Sequence, residues 1–217
     1  MKIFAIGDTH GCAAELQEML DIIDAQKQSG DLIIYLGDYI DRGPNSKGVV
    51  DIILERRNRG LEEIALMGNH EDMMLDQSSS WFYNGGTQTV ESYGGFGSWK
   101  LPPDHEEFYN NLKLFHFHGK WFFVHAGLDP TEPYDKQVKH TLIWDRTSVG
   151  YKGVYVGDWN VVYGHTPTEK PIVRPHQIGI DTGCVFGYSL TCAVINPDTD
   201  TPETVRFITV KAKRKYY

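Results

Sequence analysis

The chain has 217 residues, of which 41% are hydrophobic, and this composition suits one substantial domain with a hydrophobic core. Its formal net charge of -8 does not favour a polyanion such as duplex DNA, so a nucleic-acid partner is not expected. The three cysteines show no C-x-x-C pair and no zinc-ribbon spacing, which predicts a reducing compartment. The first apolar run is too short for a signal peptide. No stretch approaches ~20 apolar residues, so we expect no membrane segment and a cytoplasmic protein.

Five short apolar runs recur along the chain, and each leads into a polar cluster that contains glycine. The runs have the length and residue types of buried strands, and glycine lets the backbone turn sharply behind them. They span residues 3–6, 32–36, 64–67, 121–124 and 161–163. The clusters behind them are Gly7-Asp8-Thr9-His10-Gly11, Gly37-Asp38-Tyr39-Ile40-Asp41-Arg42-Gly43, Gly68-Asn69-His70-Glu71, His125-Ala126-Gly127 and Gly164-His165-Thr166-Pro167.

Helical patterns lie between the first runs. Residues 13–28 place their apolar side chains on one face, and residues 46–58 form a second pattern behind a candidate Ser46 cap. Alternation of strands and helices predicts an α/β core, in which ligands gather outside the carboxyl ends of the strands. The polar clusters should therefore converge.

The segment 72–114 has a different pattern. Residues 73–75 are typical of a helix, and Asp104 with Glu107 indicates the start of another. The glycine-rich stretch 84–97 between them predicts a loop.

The last part of the chain is rich in strand-like runs. Residues 189–195 and 204–210 are typical of strands that either add a second sheet or close the first. The basic stretch 211–215 is expected to be a solvated chain end.

Six residues in the polar clusters are candidate metal ligands. Two aspartates, one asparagine and three histidines make a mixed oxygen and imidazole set, which suits Mn, Fe or Zn. Six ligands are too many for one catalytic ion that keeps an open position, but they suffice for two ions that share Asp38. Two ions ~3.5–4 Å apart lower the pKa of a shared water and clamp the oxygens of an in-line displacement at phosphorus. The candidates are Asp8, His10, Asp38, Asn69, His125 and His165.

The same clusters offer an acid and positive charge. His70, beside Asn69, is the candidate general acid, because histidine can be protonated near neutral pH, and Asp41 could hold its imidazole. Arg42 offers a planar fork that matches two phosphate oxygens, and Arg146 is a second candidate clamp.

Several polar or aromatic residues keep two interpretations. The Asp181-Thr182-Gly183 cluster either lines the site or forms a turn. Cys12 and Cys184 lie beside motifs but are typical of buried small residues. Four aromatic residues near the expected entrance either stack on a base or pack, namely Tyr83, Tyr93, Phe96 and Trp99. Five histidines lack the strand-end glycine context and are assigned structural roles, namely His105, His116, His118, His140 and His176.

The motifs at 7–11, 37–43 and 68–71 resemble the three signature motifs of the PPP-type calcineurin-like metallophosphoesterases. His-Ala-Gly at 125 and Gly-His-Thr at 164 resemble the two downstream histidine motifs of that family. The resemblance runs in order from residue 7 to about 190 and implies an α/β fold, a four-layer α/β/β/α sandwich of two mixed sheets flanked by helices. It predicts a single domain over 1–217, with 72–114 as a helical and loop insert that sets substrate specificity.

The resemblance also implies the roles of the site residues. Asp38 is expected to bridge two divalent metal ions, manganese first and iron, zinc or nickel as alternatives. A bridging hydroxide would attack phosphorus, His70 would act as the acid paired with Asp41, and Arg42 would grip phosphate. Arg146 is similar in context to the second phosphate-binding arginine of the compact bacterial and bacteriophage members. The ligands implied are Asp8, His10 and Asp38 for the first ion, and Asp38, Asn69, His125 and His165 for the second.

The predicted function is that of a bacterial-type phosphomonoesterase acting on phosphoserine or phosphothreonine in proteins or peptides. The alternative is a bis(5'-nucleosyl)-tetraphosphatase acting on a nucleotide, because members with that activity share all five motifs. Compact length and a short C-terminal region favour the protein phosphatase. A catalytically degenerate binding module is a remote alternative, since no ligand or acid is missing. The chain lacks a counterpart of the C-terminal loop that lies beside the site in eukaryotic members, so no regulatory subunit is expected.

Overall fold

The computed structural model describes residues 1–147 and 158–217, which form two five-stranded sheets with helices outside them. The strands are β1 (Ile3–Ile6), β2 (Leu32–Tyr35), β3 (Glu63–Ala65), β4 (Phe115–His118), β5 (Trp121–Val124), β6 (Asn160–Tyr163), β7 (Ile172–Arg174), β8 (Gln177–Gly179), β9 (Ser189–Ile195) and β10 (Arg206–Lys211). The α-helices are α1 (Ala13–Asp24), α2 (Ser46–Asn58), α3 (Asn69–Leu75), α4 (Ser80–Tyr83), α5 (Gly86–Ser92), α6 (Pro103–Asn110) and α7 (Lys139–Trp144).

Both sheets are mixed. In the first, with the order β10-β9-β1-β2-β3, the three N-terminal strands are parallel and β9 and β10 add antiparallel pairs. In the second, with the order β4-β5-β6-β8-β7, the three central strands are parallel and both edge strands are antiparallel. The late strands thus extend the first sheet, and the predicted pair of mixed sheets is confirmed.

Strand β1 shows how the layers are separated. Ile3 and Ala5 lie in the core between the two sheets, whereas Phe4 and Ile6 lie in the core under α1 and α2. This alternation is what the period of two in a strand dictates when both faces are covered. On the outer face of the second sheet, β5 and β6 pack on the apolar side of α7. The order of helices, sheet, sheet and helix confirms the predicted four-layer α/β/β/α sandwich.

The first two helices differ from their predictions at one end each. Helix α1 ends at Asp24 rather than at residue 28, because the polar residues after it have no apolar side chain to bury and the chain turns there. Helix α2 begins at Ser46, but its cap is Asn45, whose side chain accepts from the Gly48 amide at 2.9 Å. The Ser46 hydroxyl instead accepts from the Asp41 amide at 3.1 Å and lies 3.0 Å from the Thr89 hydroxyl.

The segment 72–114 is more helical than predicted. The expected loop over 84–97 contains α5, whose Thr89 and Val90 are buried, and Gly85 before it has a φ of 100° that favours glycine. Helix α6 begins at Pro103, one residue before the predicted Asp104, since proline suits the first helical position.

The C-terminal segment also departs from expectation. Strand β10 begins at residue 206, after a 3₁₀ turn at Pro202–Thr204. The four basic residues of the predicted solvated end 211–215 are exposed, but its backbone is attached, because the Ala212 amide donates to Tyr188 O and the Lys213 amide to a Glu15 carboxylate oxygen. Across residues 1–147 and 158–217, no helix has both the length and the apolar character needed to cross a membrane.

Candidate active site

The polar clusters behind β1, β2, β3, β5 and β6 converge, as the sequence predicts. All six candidate ligands are at most 5% exposed, namely Asp8, His10, Asp38, Asn69, His125 and His165. Seven non-glycine residues have a positive φ in the described part of the chain, and five of them lie here, namely His10, Asp38, Asp41, Arg42 and His165. A left-handed backbone is costly for such residues and is concentrated at functional sites.

The Asp38 carboxylate lies at the centre of the converging side chains. Its Oδ2 is 3.5 Å from His10 Nε2, and its Oδ1 is 3.5 Å from His125 Nε2. Each oxygen thus faces a different histidine, which is the arrangement a bridging carboxylate requires.

Around Asp38, potential ligand atoms form two groups that share this residue. Within each group, the atoms lie within 4.8 Å of one another. One group is His10, Asp38 and His70, and the other is Asp38, His125 and His165. Asn69 joins the second group, since its Oδ1 lies 2.9 Å from His165 Nδ1 and 3.1 Å from His125 Nε2. Asp8 is in neither group, and His70, which we assigned as the acid, is in the first.

The histidines are prepared to act as ligands. His10 Nδ1 lies 2.7 Å from Ile40 O, and His125 Nδ1 lies 2.9 Å from Leu36 O. Donation from Nδ1 leaves the Nε2 lone pair facing the site. Burial lowers the pKa of His10, His125 and His165, the last to about 3, so these imidazoles are neutral at neutral pH. A neutral imidazole is the form that binds a metal.

Asp8 gives a further indication of a cation. Its Oδ2 accepts from the His165 amide at 2.9 Å, but its Oδ1 is buried and has no hydrogen-bond partner among residues 1–147 and 158–217. Burial first, then the charges of Asp181 and Asp38, raise the pKa of Asp8. Uncompensated buried carboxylates are costly, so an orphaned oxygen in this setting suits a divalent cation.

The Asp181 cluster fits both of its interpretations. Asp181 Oδ1 accepts from the Gly183 amide at 3.0 Å, which makes a turn. The Asp181 carboxylate also acts on the site, because its charge raises the pKa of Asp8, and burial raises the pKa of Asp181 itself to about 6.

His70 and Asp41 form a buried pair. His70 Nδ1 lies 2.6 Å from Asp41 Oδ2. The Trp81 indole N–H donates to the Asp41 carboxylate at 2.9 and 3.0 Å, and the Thr89 hydroxyl donates to Asp41 Oδ1 at 2.6 Å. Burial raises the pKa of Asp41, and these hydrogen bonds act in the opposite direction. Asp41 is thereby held as an acceptor for the His70 ring.

Both candidate arginines reach the same centre. Arg42 Nη1 lies 2.6 Å from His10 Nε2, and Arg146 Nε donates to His165 Nε2 at 3.1 Å. Two guanidinium groups beside the ligand cluster supply the positive charge that a phosphoryl group needs.

Three supporting residues were not predicted from sequence. Glu71 lies inside a motif, and its carboxylate accepts from the Asp38 amide at 2.9 Å and the Tyr39 amide at 2.8 Å. Trp81 and Thr89 lie in the segment 72–114, and no periodicity or motif distinguishes them from packing residues. Only the tertiary fold brings them to Asp41.

A family profile described as calcineurin-like phosphoesterase matches residues 1–196. The chain belongs to this family. Its members are phosphoester hydrolases with a divalent metal centre, so the predicted enzyme class is confirmed.

Two relatives and one solved structure show what the chain is similar to. A bis(5'-nucleosyl)-tetraphosphatase PrpE from Oceanobacillus iheyensis is 32% identical, over 88% of this chain and 87% of its own. Serine/threonine-protein phosphatase 1 from Salmonella typhimurium is 30% identical, over 89% and 91%. A solved protein serine/threonine phosphatase from Saccharomyces cerevisiae shares the fold, with a TM-score of 0.64, 14% identity and coverage of 98% and 80%. Both enzyme types are matched over most of their length. Contrary to our expectation, compact length therefore does not distinguish the two enzyme types.

Proposed function

We propose that this chain is a metal-dependent phosphomonoesterase that acts on phosphoserine or phosphothreonine, with His70 as the general acid. The observation that carries the proposal is the buried His70–Asp41 pair. An alkoxide is a far poorer leaving group than a nucleotide phosphate, so a phosphoserine or phosphothreonine ester needs a proton donor more than a phosphoanhydride does. The His70–Asp41 pair supplies such a donor.

The residues around His70 have matching roles. Nδ1 bonds to Asp41, so Nε2 is the atom that delivers the proton to the leaving oxygen. Asp41 keeps the imidazole oriented, since its Oδ2 lies 2.6 Å from His70 Nδ1. Trp81 and Thr89 fix the Asp41 carboxylate, and their hydrogen bonds are the reason that it does not rotate away.

Arg42 and Arg146 bind the phosphoryl oxygens in this proposal. A guanidinium presents its N–H groups in a planar fork that matches two oxygens of a phosphate. The two arginines approach from different elements, one from the loop after β2 and one from the residues after α7, so they can clamp the group from two sides.

The metal ions would be held by the six residues predicted as ligands. Asp8, His10 and Asp38 form one set, and Asp38, Asn69, His125 and His165 form the other. Such ions, for which we propose manganese first, activate water and stabilise the charge of the transferring phosphoryl group. The orphaned Asp8 oxygen and the neutral imidazoles support this assignment.

A dinucleoside tetraphosphatase is the second candidate, and two observations favour it. The PrpE relatives are as similar to this chain as the protein phosphatase is. Tyr83 lies two residues before Gly85, whose carbonyl accepts from the Arg42 amide, and is 87% exposed. Phe96 is 61% exposed and stacks on Phe82 at 5.9 Å between ring centroids. An exposed aromatic ring such as that of Tyr83 suits a nucleobase, because bases stack on such rings. By contrast, Tyr93 and Trp99 pack against each other. We propose that the segment 72–114 decides between the two substrates.

A side-by-side assay tests the proposal. Purified protein is given a phosphoserine peptide, diadenosine tetraphosphate and an aryl phosphodiester, each with Mn²⁺, Ni²⁺ or Zn²⁺. We expect the highest kcat/KM for the phosphopeptide. A preference for diadenosine tetraphosphate would replace the first candidate by the second. Absence of bound metal and of any hydrolysis would instead indicate a binding module. The cytoplasmic location and the lack of a regulatory subunit remain predictions.

A further inference from the structure

The segment after β10 is fastened to the body of the protein and leads back to the active site. The Tyr216 and Tyr217 amides donate to Val185 O at 2.9 and 3.1 Å, and the Tyr216 hydroxyl donates to Glu15 Oε1 at 2.9 Å. Val185 lies in the 3₁₀ turn Cys184–Phe186 that follows the Asp181 cluster. These bonds hold the backbone of Tyr217 beside the 3₁₀ turn.

Two aromatic rings lie against the Arg42 guanidinium. Its Cζ is 5.7 Å from the centroid of Phe186 and 5.9 Å from that of Tyr217, and the two ring centroids are 6.2 Å apart. A guanidinium within ~6 Å of a ring centroid is attracted by the negative face of the ring. We call Phe186 and Tyr217 the aromatic pair.

The backbone and the side chain of Arg42 are fixed by different parts of the protein. Its backbone is held at a φ of 67°, with the amide donating to Gly85 O at 3.2 Å. A Cβ on Gly85 would lie 2.8 Å from Arg42 Cγ, so this approach needs a glycine. Beyond Cγ the arginine still has rotatable bonds, so the plane of its guanidinium is not fixed by the backbone. Ring faces beside the guanidinium restrict its plane before any substrate binds.

We propose that the aromatic pair positions the Arg42 guanidinium for the phosphoryl oxygens, and this inference rests on the proposed phosphate-binding role of Arg42. Phe186 and Tyr217 are positioning residues, since they act through the arginine. An arginine that contacts phosphate in both the ground state and the transition state changes KM more than kcat. The aromatic pair should therefore affect the binding of substrate and of inorganic phosphate together.

The experiment compares Tyr217→Leu and Tyr217→Phe with the wild type in the full-length protein. Tyr217→Leu should raise both KM and the inhibition constant of inorganic phosphate about five-fold, because one cation–π contact is lost, with kcat within about two-fold. Tyr217→Phe keeps the ring and should restore both constants. Calorimetric titration with inorganic phosphate should show the same loss of affinity without turnover.

Two controls separate positioning from folding. Tyr134 is similarly exposed, at 47% against 44% for Tyr217, and contacts Phe115 and Phe117 instead of the site. Tyr134→Leu should leave the phosphate constant unchanged. In an Arg42→Ala background, Tyr217→Leu should cause no further loss. An unchanged inhibition constant of inorganic phosphate in Tyr217→Leu would overturn the inference. A loss of phosphate affinity from Tyr217→Leu that is just as large in the Arg42→Ala background would overturn it as well.

Failure of the inference is distinguishable from failure of the proposed function. If the wild type prefers diadenosine tetraphosphate, the proposed substrate is wrong. The inhibition constant of inorganic phosphate is then measured for Tyr217→Leu and for wild type with that nucleotide as the substrate. The same increase of about five-fold in Tyr217→Leu is expected.

Discussion

The candidate ligands and the acid–arginine group occupy one site, but the chain holds them in different ways. The ligand histidines are oriented by carbonyl groups of the strand-end loops, as His10 is by Ile40 and His125 by Leu36. The acid is oriented from outside the sheets, because the Asp41 carboxylate accepts from Trp81 and Thr89 in the segment 72–114.

From this difference we expect metal binding and proton delivery to be separable in this protein. Strand-end geometry is fixed by the sheets, whose central strands are fully buried. The side chains of the segment 72–114 that reach the site bond to Asp41 and not to a candidate ligand, although Lys113 of this segment pairs with Leu66 after β3. Mutations in the ligand half should therefore remove metal and activity together, whereas mutations in the acid half should spare the metal.

The largest effect is expected for Asp38→Asn, which replaces the carboxylate shared by both ligand groups with a neutral amide. The loss of kcat/KM should be about 10³-fold on every substrate, since both ions lose a charged ligand. Metal analysis of the purified variant should show less bound metal per chain than in the wild type. Wild-type metal content together with near-wild-type activity would show that Asp38 is not a bridging ligand.

The next largest effect is expected for His70→Asn, because the proton donor is lost. On a phosphoserine peptide the rate should fall about 10²–10⁴-fold, and on an aryl ester with a good leaving group it should fall far less. Bound metal should stay as in the wild type, measured on the same preparations. An equal loss on both esters would contradict the acid role.

A smaller effect is expected for Trp81→Phe, which keeps a ring but removes the N–H that donates to Asp41. Loss of one supporting hydrogen bond should reduce kcat about ten-fold on the phosphoserine peptide. Trp99→Phe is the matched control, because Trp99 packs on Trp81 at 5.6 Å between ring centroids and should leave kcat close to wild type. If Trp81→Phe also lost metal, the two halves would not be separable.

The same division explains how much could be predicted from the sequence. Each candidate ligand lies in a polar cluster behind a strand-like run, so residue type, spacing and the topology of α/β sheets predict that these clusters converge. The predicted sheets and layers were confirmed for the same reason, since buried strands have a recognisable apolar pattern.

The supporting half could not be predicted in this way. Trp81 and Thr89 are 40 and 48 residues from Asp41, and nothing local marks them as its partners. The glycines that flank α5 predict a loop. The burial of Thr89 and Val90, which accompanies the helix, is seen only in the structure. The basic residues after β10 indicated a solvated end, but hydrogen bonds to Val185 and Glu15 hold that segment in place.

The smallest effect concerns a pair outside both halves, and it tests whether stability and catalysis are also separable. Arg56 of α2 donates two hydrogen bonds to Asp24 at the end of α1, at 2.6 and 2.9 Å. These bonds lower the pKa of Asp24 in the folded protein. A carboxyl with a lowered folded pKa contributes stability above its unfolded pKa of about 3.9, and this contribution is lost as the pH falls through the folded value.

Asp24→Asn should therefore be destabilised at pH 7, and the difference from wild type should shrink as the pH falls below about 4. The Asp24 side chain is 45% exposed, so solvent screening limits the effect to about 0.5 kcal/mol. Urea unfolding of both proteins at several pH values measures it, while kcat and metal content should stay at the wild-type level. A difference that grows toward low pH would reverse the sign of the coupling, and a fall in kcat would mean that the helical layer under the first sheet transmits strain to the site.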